Sequence, residues 1–187
     1  MNKTDLSTFD NSWYDPGAGI VKRALWYCIN AIFFVPAWNP FSQLKCVLLR
    51  CFGAKVGQNV VIKPGVNIKY PWKLCIADDV WIGENAWLDN LDNIFIEKNV
   101  CISQGALLLC GNHDYTKPTF DLITGKIVLK EGVWIGAKAI VTGGVTCHSH
   151  AVLAVGSIAS KDLEAYWVYQ GNPAIKKRLR TISTKKK

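Results

Sequence analysis

A single histidine stands where a long repeat in this chain is interrupted. His113 lies in the turn-rich segment Gly111-Asn112-His113-Asp114, and Pro118 follows a few residues later. A neutral imidazole near pH 7 can accept a proton from a poor nucleophile such as a hydroxyl group. Loops that project from a rigid scaffold commonly carry binding and catalytic groups. We therefore interpret His113 as a candidate general base, with a purely structural role in holding the loop as the alternative.

The second chemical feature is a group of cations near the end of the chain: Lys161, Lys176, Lys177, Arg178 and Arg180. Cations attract phosphates, and arginine can contact a phosphate with two parallel hydrogen bonds. The group therefore indicates a site for a phosphorylated ligand. For Lys176 and Lys177, a solvated surface face is an equally good interpretation.

A metal site needs separate consideration because Cys147, His148 and His150 are close in sequence and His113 is the third histidine. A catalytic zinc requires its ligands to converge on one open site. Cys147 falls at an inward position of the repeat described below, whereas His148 and His150 fall in a corner. No metal site is therefore expected, although a zinc enzyme stays open as an alternative.

The element that must position these residues is a six-residue repeat from about residue 56 to residue 160. Neither the period of a helix nor that of a plain strand places an apolar residue at every sixth position. A chain that turns a corner every six residues does, and such repeats are typical of a parallel β-helix. The apolar first positions are Val56, Ile62, Ile68, Ile76, Ile82, Leu88, Ile96, Ile102, Leu108, Leu129, Ile135, Val141, Cys147, Leu153 and Ala159. Fifth positions are mostly small, and three repeats per coil predict about five triangular coils.

Three segments follow from this repeat. An N-terminal arm and helical cap is predicted over residues 1–55, with a loose arm up to residue 19 and helices near Ala24–Trp38 and Phe41–Phe52. The β-helix is predicted over 56–163, with an inserted loop over 109–128. A C-terminal extension over 164–187 is predicted to contain a short basic helix at 175–180 and a frayed tail at 185–187.

Polar residues within the repeat are candidates for contacting a second substrate. Asp92 occupies a fifth position that is small and apolar elsewhere, so it either faces a cleft, where it could orient His113, or is turned outward by a two-residue slip in the repeat. Asn85 and Asn90 are further candidates on chemical grounds alone. Each could donate hydrogen bonds to, and accept them from, a polyhydroxyl ligand.

The repeat, the His113 loop, the strand Gly132-Val133-Trp134-Ile135-Gly136 and the ending Gly171-Asn172-Pro173-Ala174 resemble the hexapeptide-repeat acyltransferases. Over roughly residues 45–180 the chain is most similar to the colanic-acid-type polysaccharide O-acetyltransferases, relatives of the galactoside and maltose acetyltransferases. The resemblance implies a left-handed parallel β-helix, a homotrimer with sites between subunits, and His113 as the general base. Where the galactoside and maltose enzymes hold their acceptor with Asn and Asp, this chain has Gly83 and Leu91.

The resemblance also implies how acetyl-CoA is held along the late coils. Trp134 matches a residue beside the pantetheine arm, and the backbones of Ala137 and Val155 match positions that bond to that arm. The remaining matches are Ser160 and Lys161 near the adenine and 3′-phosphate, and Arg178 at the phosphates.

The function implied is transfer of acetyl from acetyl-CoA to a sugar hydroxyl in exopolysaccharide or surface-glycan synthesis, on a nucleotide- or lipid-linked precursor. The alternatives are a sugar N-acyltransferase, a gamma-class carbonic-anhydrase-like metal enzyme and a non-catalytic scaffold. A formal net charge of +8 suits phosphates, anionic glycans or lipid headgroups, and no nucleic-acid recognition motif accompanies it.

Location is inferred from cysteine usage and from the N-terminal sequence. Seven scattered cysteines without a CxxC pair favour a reduced cytoplasmic protein, and residues 1–19 are polar, unlike a secretion signal. The apolar window 24–38, preceded by Lys22 and Arg23, either rests on the inner face of a membrane or packs on the first coil or a neighbouring subunit.

Overall fold

The computed structural model describes residues 3–183 and contains a parallel β-helix preceded by two helices. The predicted tail at 185–187 lies outside the described residues. The helices are α1 (Ile20–Ile29) and α2 (Ser42–Cys51), with a π-helical turn at Asn30–Phe34. Short 3-10 turns occupy Leu6–Thr8 and Pro71–Lys73. The strands are β1 (Lys55–Val56), β2 (Val61–Ile62), β3 (Asn67–Ile68), β4 (Leu74–Ile76), β5 (Trp81–Ile82), β6 (Trp87–Asp89), β7 (Ile94–Ile96), β8 (Cys101–Ile102), β9 (Leu107–Leu109), β10 (Gly111–His113), β11 (Leu122–Thr124), β12 (Ile127–Leu129), β13 (Trp134–Ile135), β14 (Ile140–Thr142), β15 (Thr146–Cys147), β16 (Val152–Leu153), β17 (Ile158–Ala159), β18 (Trp167–Gln170) and β19 (Ile175–Leu179).

Three sheets form the three faces of the β-helix. Face A has the strand order β1-β4-β7-β12-β15, face B has β2-β5-β8-β13-β16-β18-β19, and face C has β3-β6-β9-β14-β17. Strands from successive coils pair in parallel and in register, so that Ile62, Ile82, Ile102 and Ile135 stack in one column. This stacking confirms the architecture predicted from the six-residue repeat.

The core consists of the residues that the repeat places inward. Of the fifteen apolar first positions, only Val56 is not fully buried, and the small residues at the fifth positions are buried as well. Each coil covers its apolar row by stacking on the next one, as expected for a solenoid. The core is therefore continuous along the axis of the β-helix.

The stack contains about six turns rather than the predicted five. After β17, Leu163 forms a parallel bridge with Cys147 on face A, and β18 pairs with β16 on face B. The Ala174 N–H then donates to the Ile158 carbonyl at 2.8 Å on the third side. The six-residue spacing is lost after Ala159. For this reason, the repeat pattern did not predict the last turn.

The predicted C-terminal helix is wrong, because residues 175–179 form strand β19. This strand pairs antiparallel with β18, with Trp167 opposite Leu179 and Gln170 opposite Ile175. Gly171, with φ +106°, lies in the reversal between the two strands. The open edge of β18 presents unpaired backbone groups, and pairing with them satisfies the β19 backbone better than an isolated short helix would. The side chains of β19 are exposed.

The N-terminal helices close the first coil, which confirms the predicted helical cap. Trp26 of α1 and Phe34 are buried with their ring centroids 5.2 Å apart, and Trp26 Nε1 donates to the Ile68 carbonyl at 2.8 Å. Leu49 of α2 is fully buried. Within residues 3–183, no helix has the length and apolar character needed to cross a lipid bilayer.

The N-terminal arm is held against the β-helix, contrary to the expectation that it is loose. Tyr14 Oη donates to the Leu91 carbonyl at 2.6 Å, and Trp72 Nε1 donates to the Pro16 carbonyl at 2.6 Å. Further along the arm, the Asp5 N–H donates to the carbonyl of Pro118 in the inserted segment at 2.9 Å. These contacts place the arm over the segment that carries His113.

Candidate active site

The inserted segment is a β-hairpin that projects from the corner between faces C and A. Strands β10 and β11 pair antiparallel, with His113 opposite Leu122. The Asp114 N–H donates to the Asp121 carbonyl at 2.8 Å and closes the tip of the hairpin. His113 is therefore carried by a paired strand rather than by a free loop, and this pairing limits its motion.

The imidazole of His113 is fixed through one of its two nitrogens. Nδ1 lies 2.9 Å from the Phe120 carbonyl, and the rings of His113 and Phe120 are stacked with their centroids 4.5 Å apart. A carbonyl oxygen can only accept a hydrogen bond, so Nδ1 must carry the hydrogen. In the neutral ring, Nε2 then has a free lone pair, which is the form a general base requires.

A polar cleft of about 560 Å³ lies beside His113. Its walls come from the N-terminal arm, the hairpin and the irregular segments that follow β3 and β6. Besides His113 they include Phe9, Ser12, Tyr14, Arg23, Lys69, Tyr70 and Leu91. The ring of Phe9 approaches His113 at a centroid distance of 5.7 Å. The arm therefore forms one wall of the cleft.

Two lining residues of the cleft, Tyr14 and Leu91, belong to a hydrogen-bonded network around Lys73. Its Nζ donates to the Leu91 carbonyl at 2.7 Å, to the Asp15 carbonyl at 2.9 Å and to Tyr14 Oη at 3.2 Å. Burial lowers the pKa of Lys73, and the nearby carboxylates of Asp92 and Asp15 oppose that shift. Burial likewise raises the pKa of Tyr14 above its usual value. Tyr14 therefore stays a neutral hydrogen-bonding group throughout the neutral pH range.

Sequence reasoning missed several residues of this cleft, notably Tyr14, Arg23, Lys69 and Tyr70. Lys69 and Tyr70 lie at the two-residue slip after Ile68, so the slip itself was the available signal. Lys69 Nζ forms an ion pair with Asp89 at 2.9 Å. Tyr14 and Arg23 come from the arm and from α1, whose approach to the His113 hairpin has no counterpart in the repeat pattern.

The three candidate acceptor residues lie in different environments. Asn90 is fully buried, and its amide bonds to both backbone groups of Tyr70, accepting at 2.9 Å and donating at 2.6 Å. The expectation that Asn90 contacts substrate is therefore corrected, because its hydrogen-bonding atoms are used in fixing the slip. Asn85 occupies a left-handed turn with φ 57° and does not line the His113 cleft.

Asp92 does not orient His113, whose Nδ1 bonds to a backbone carbonyl instead. The Asp92 side chain accepts from the Asn93 N–H at 2.6 Å. Together with burial, the charges of Asp92 and Asp89 raise the pKa of the Cys110 thiol to about 12. The carboxylate of Asp92 thus lies near Cys110, Tyr14 and Lys73.

The six candidate donor-binding residues lie along the late coils. Trp134 on β13 is 46 % exposed, and its Nε1 donates to Ser103 Oγ at 2.9 Å. The Ala137 carbonyl accepts from Gly156 N–H at 2.9 Å within the stack, and the neighbouring Val155 side chain is exposed. Ser160 and Lys161 are exposed at the end of β17, and Arg178 is exposed on β19.

Two other cations of the C-terminal group, Lys176 and Arg180, are already engaged. Lys176 Nζ bonds to Glu164 at 2.6 Å and lies 4.0 Å from the ring centroid of Trp167. Arg180 Nη1 donates to the carbonyls of Gly132 and His150, at 2.8 and 3.1 Å. Arg180 thereby links the end of β19 to the turns that contain Gly132 and His150.

The His113 cleft and the donor candidates are separate within one chain. None of the six donor candidates lines the cleft around His113. Between residues 3 and 183, moreover, no group of three or more His, Cys, Asp or Glu side chains is arranged to hold a metal ion. Cys147 is fully buried, and its burial raises the pKa of its thiol to about 12.

Comparison with known proteins places this geometry in a family. No family model matches the chain. It is 38% identical over 173 residues to a protein of Escherichia coli (strain K12) assigned as the colanic acid biosynthesis acetyltransferase WcaF, which covers 91% of this chain and 94% of that protein.

Two solved structures share the fold. One is the hexapeptide-repeat acetyltransferase VCA0836 of Vibrio cholerae in complex with acetyl-CoA, with a TM-score of 0.79 and 20% identity over 90% of this chain and 93% of that one. The other is a galactoside acetyltransferase in complex with CoA, with a TM-score of 0.75 and 22% identity over 86% and 82%. From the full-length similarity and the shared left-handed β-helix, the chain belongs to the WcaF-like hexapeptide-repeat acetyltransferases and is an acyltransferase.

Proposed function

We propose that this protein transfers an acetyl group from acetyl-CoA to a sugar hydroxyl during the synthesis of an exopolysaccharide or another surface glycan. The observation that carries the proposal is the bond between His113 Nδ1 and the Phe120 carbonyl, which leaves Nε2 as a proton acceptor beside a polar cleft. A sugar hydroxyl is a poor nucleophile until a base takes its proton as the new bond forms.

The proposed reaction proceeds by direct attack. The acceptor oxygen forms a bond to the thioester carbonyl carbon while His113 Nε2 takes the hydroxyl proton. The carbon–sulfur bond of the tetrahedral intermediate then breaks, and the departing sulfur receives the proton from the imidazolium. The Phe120 carbonyl stabilises the positive ring in the intermediate, because it accepts the Nδ1–H bond in both protonation states.

The late coils are the proposed site for acetyl-CoA. Trp134 and Val155 offer exposed apolar surface for the pantetheine arm, whereas Ser160, Lys161 and Arg178 offer polar and cationic side chains for the phosphates. Lys176 is less suited to this role because Glu164 already neutralises it. The Ala137 backbone, whose carbonyl also accepts from the Gly156 N–H, is the further contact that we propose for the arm.

The active unit that we propose is a homotrimer. The His113 cleft lacks every donor candidate of its own chain, so a neighbouring chain would supply the donor wall. We place the trimer in the cytoplasm. The exposed side chains of Ile20, Val21 and Leu25 on α1 offer a surface for the inner face of the membrane or for a neighbouring subunit.

The first test compares His113→Ala with His148→Ala, a matched control at an exposed histidine in a turn. Thiol release from acetyl-CoA is followed against sugars, nucleotide-sugars, amino sugars and glycan fragments. We expect His113→Ala to lose about 10²–10⁴ in rate, the usual share of general-base catalysis, and to keep its acetyl-CoA affinity. His148→Ala should match the unmodified protein.

The outcomes of this test separate the alternatives. An unchanged rate in His113→Ala would overturn the assignment of the base. Turnover restricted to amino sugars would replace O-acetylation by N-acylation, and failure to bind acetyl-CoA would favour a non-catalytic scaffold.

A further inference from the structure

The N-terminal arm contributes one aromatic ring to the surroundings of His113. Among residues 3–13, Phe9 is the only residue that is not exposed, and its neighbours Thr8 and Asp10 are both exposed. The ring of Phe9 lies with its centroid 5.7 Å from that of His113. Over this range of the arm, the one side chain that is partly buried is therefore the one beside the imidazole.

The arm is held on both sides of Phe9. Before it, the Asp5 N–H donates to the Pro118 carbonyl at 2.9 Å. After it, Tyr14 Oη donates to the Leu91 carbonyl at 2.6 Å. Between these two points, the hydrogen bonds that the described structure gives to residues 6–13 all stay within the arm. The two ends of this segment therefore set the position of Phe9.

Phe9 and Phe120 enclose the imidazole of His113 from two directions. The ring of Phe120 is nearly parallel to it, with an interplanar angle of 8° and a centroid distance of 4.5 Å, and so covers one face. The ring of Phe9 is inclined to it by 58°. Both stacked and tilted aromatic pairs are favourable arrangements. Because two rings cannot occupy the same face, Phe9 meets the other face or an edge of the imidazole.

A second contact is needed because one hydrogen bond does not fix the orientation of a ring. The bond between His113 Nδ1 and the Phe120 carbonyl decides which nitrogen carries hydrogen. It leaves the imidazole able to swing about the line through the two bonded atoms, and such a swing displaces Nε2. A misplacement of about 1 Å at a reacting group can cost about 10²-fold in rate.

We propose that Phe9 is a positioning residue for the base. Together with Phe120, it holds the imidazole so that Nε2 faces the acceptor hydroxyl in the cleft. The inference rests on the proposed function, since it takes His113 as the base, and it gives the N-terminal arm a part in catalysis. The competing interpretation is that Phe9, which lines the cleft, only stacks against the sugar.

The first measurement needs neither an acceptor nor turnover. Nuclear magnetic resonance spectra of the full chain, labelled at histidine, report the ring signals of His113, which are identified by their absence in His113→Ala. We expect one set of sharp signals with cross-peaks to the ring of Phe9. In Phe9→Ala these signals should shift and broaden as the imidazole samples several orientations, whereas those of His148 should not change.

The second measurement separates positioning from binding, using the acceptor that supports thiol release in the panel described above. We expect Phe9→Ala to lower kcat about 10–100-fold, as a misplaced base would, without changing KM for the acceptor or for acetyl-CoA. Phe9→Tyr keeps the ring and should restore kcat. Leu6→Ala is the matched control, because Leu6 is an exposed apolar residue of the same arm and does not line the cleft.

Two results would overturn the inference. A raised KM for the acceptor with unchanged kcat in Phe9→Ala would make Phe9 a sugar-stacking residue. Unchanged kcat and unchanged His113 signals in Phe9→Ala, in a protein that His113→Ala inactivates, would reject the positioning role and leave the proposed function intact. Full activity in His113→Ala would instead reject the base itself, and Phe9 as its positioning residue with it.

Discussion

At the scale of single residues, the feature with the greatest chemical consequence is the carbonyl of Phe120. It decides which nitrogen of His113 carries hydrogen, and so decides that Nε2 is the base. The sequence pointed to His113 because of the break in the repeat. It could not point to Phe120 as its partner, since a backbone carbonyl has no signature in residue type and the pairing of β10 with β11 brings the two together.

A second residue-scale feature is the ion pair of Glu97, which makes stability depend on pH. The hydrogen bond from Lys130 at 2.8 Å and that from the Glu131 N–H at 3.0 Å lower the pKa of Glu97 below its usual 4.5. A lowered carboxyl pKa stabilises the fold above pH 4.5, and this contribution is lost as the pH falls through the folded-state value.

We expect Glu97→Gln to lower the melting temperature at pH 7 by about 1–2 °C, since partly exposed ion pairs contribute at most about 1 kcal/mol. The difference between the two proteins should shrink as the pH is lowered below 4.5. Calorimetric scans across that pH range provide the measurement. A difference that grew in acid would show that the carboxylate destabilises the fold.

At the scale of elements, the coils approach so closely at Gly136, a second repeat position, that a side chain there would meet the next coil. A Cβ placed on Gly136 would lie 2.6 Å from the Val155 nitrogen, although the φ of Gly136 is one that other residues adopt. Gly144 is the reverse case, with φ +87° and no heavy atom within 4 Å of an added Cβ. Substitutions at these two positions therefore distinguish the effect of steric crowding from the effect of backbone conformation.

We expect Gly136→Ala to destabilise the protein by up to about 3 kcal/mol, the upper part of the range for overpacking. Gly144→Ala should cost about 1 kcal/mol from its left-handed backbone alone. Denaturant unfolding of both variants measures the difference. A larger loss in Gly144→Ala would contradict the view that contact with the next coil limits side-chain size at Gly136.

Some elements could be predicted from the sequence and others could not. The β-helix followed from fifteen inward positions that recur mostly at six-residue spacing, because each coil imposes the same packing demand. The hairpin at 109–128 and strand β19 did not follow, since each exists by pairing with an edge that the rest of the fold creates. From the sequence, Asn90 is available to a ligand. In the structure, its side-chain amide bonds to the backbone of Tyr70 at the slip after Ile68.

At the scale of the whole molecule, the most important feature is that His113 and the donor candidates lie apart within one chain. In a cyclic trimer, each site would combine His113 of one chain with the donor wall of its neighbour. Two inactive variants with defects on opposite sides of the site would then complement each other when mixed. In a monomeric enzyme they would not.

We expect His113→Ala and Trp134→Ala to be weakly active alone and to regain activity when co-expressed. Random mixing leaves both halves intact in about one site in four, so recovery should approach a quarter of the original rate. Light scattering on the same sample establishes whether the particle is a trimer. No recovery in a well-formed trimer would place both groups in one chain's site.

The last strand of the β-helix, β19, affects whether two copies of the chain can associate end to end. Parallel coils leave an open edge that could template further coils from another chain, the geometry from which fibres grow. Here β19 occupies that edge on face B, runs in the opposite direction and presents the exposed side chains of Lys177 and Arg178. On face B, a second solenoid arriving end to end would meet a reversed strand and two cations, so this face is protected against end-to-end pairing with another chain.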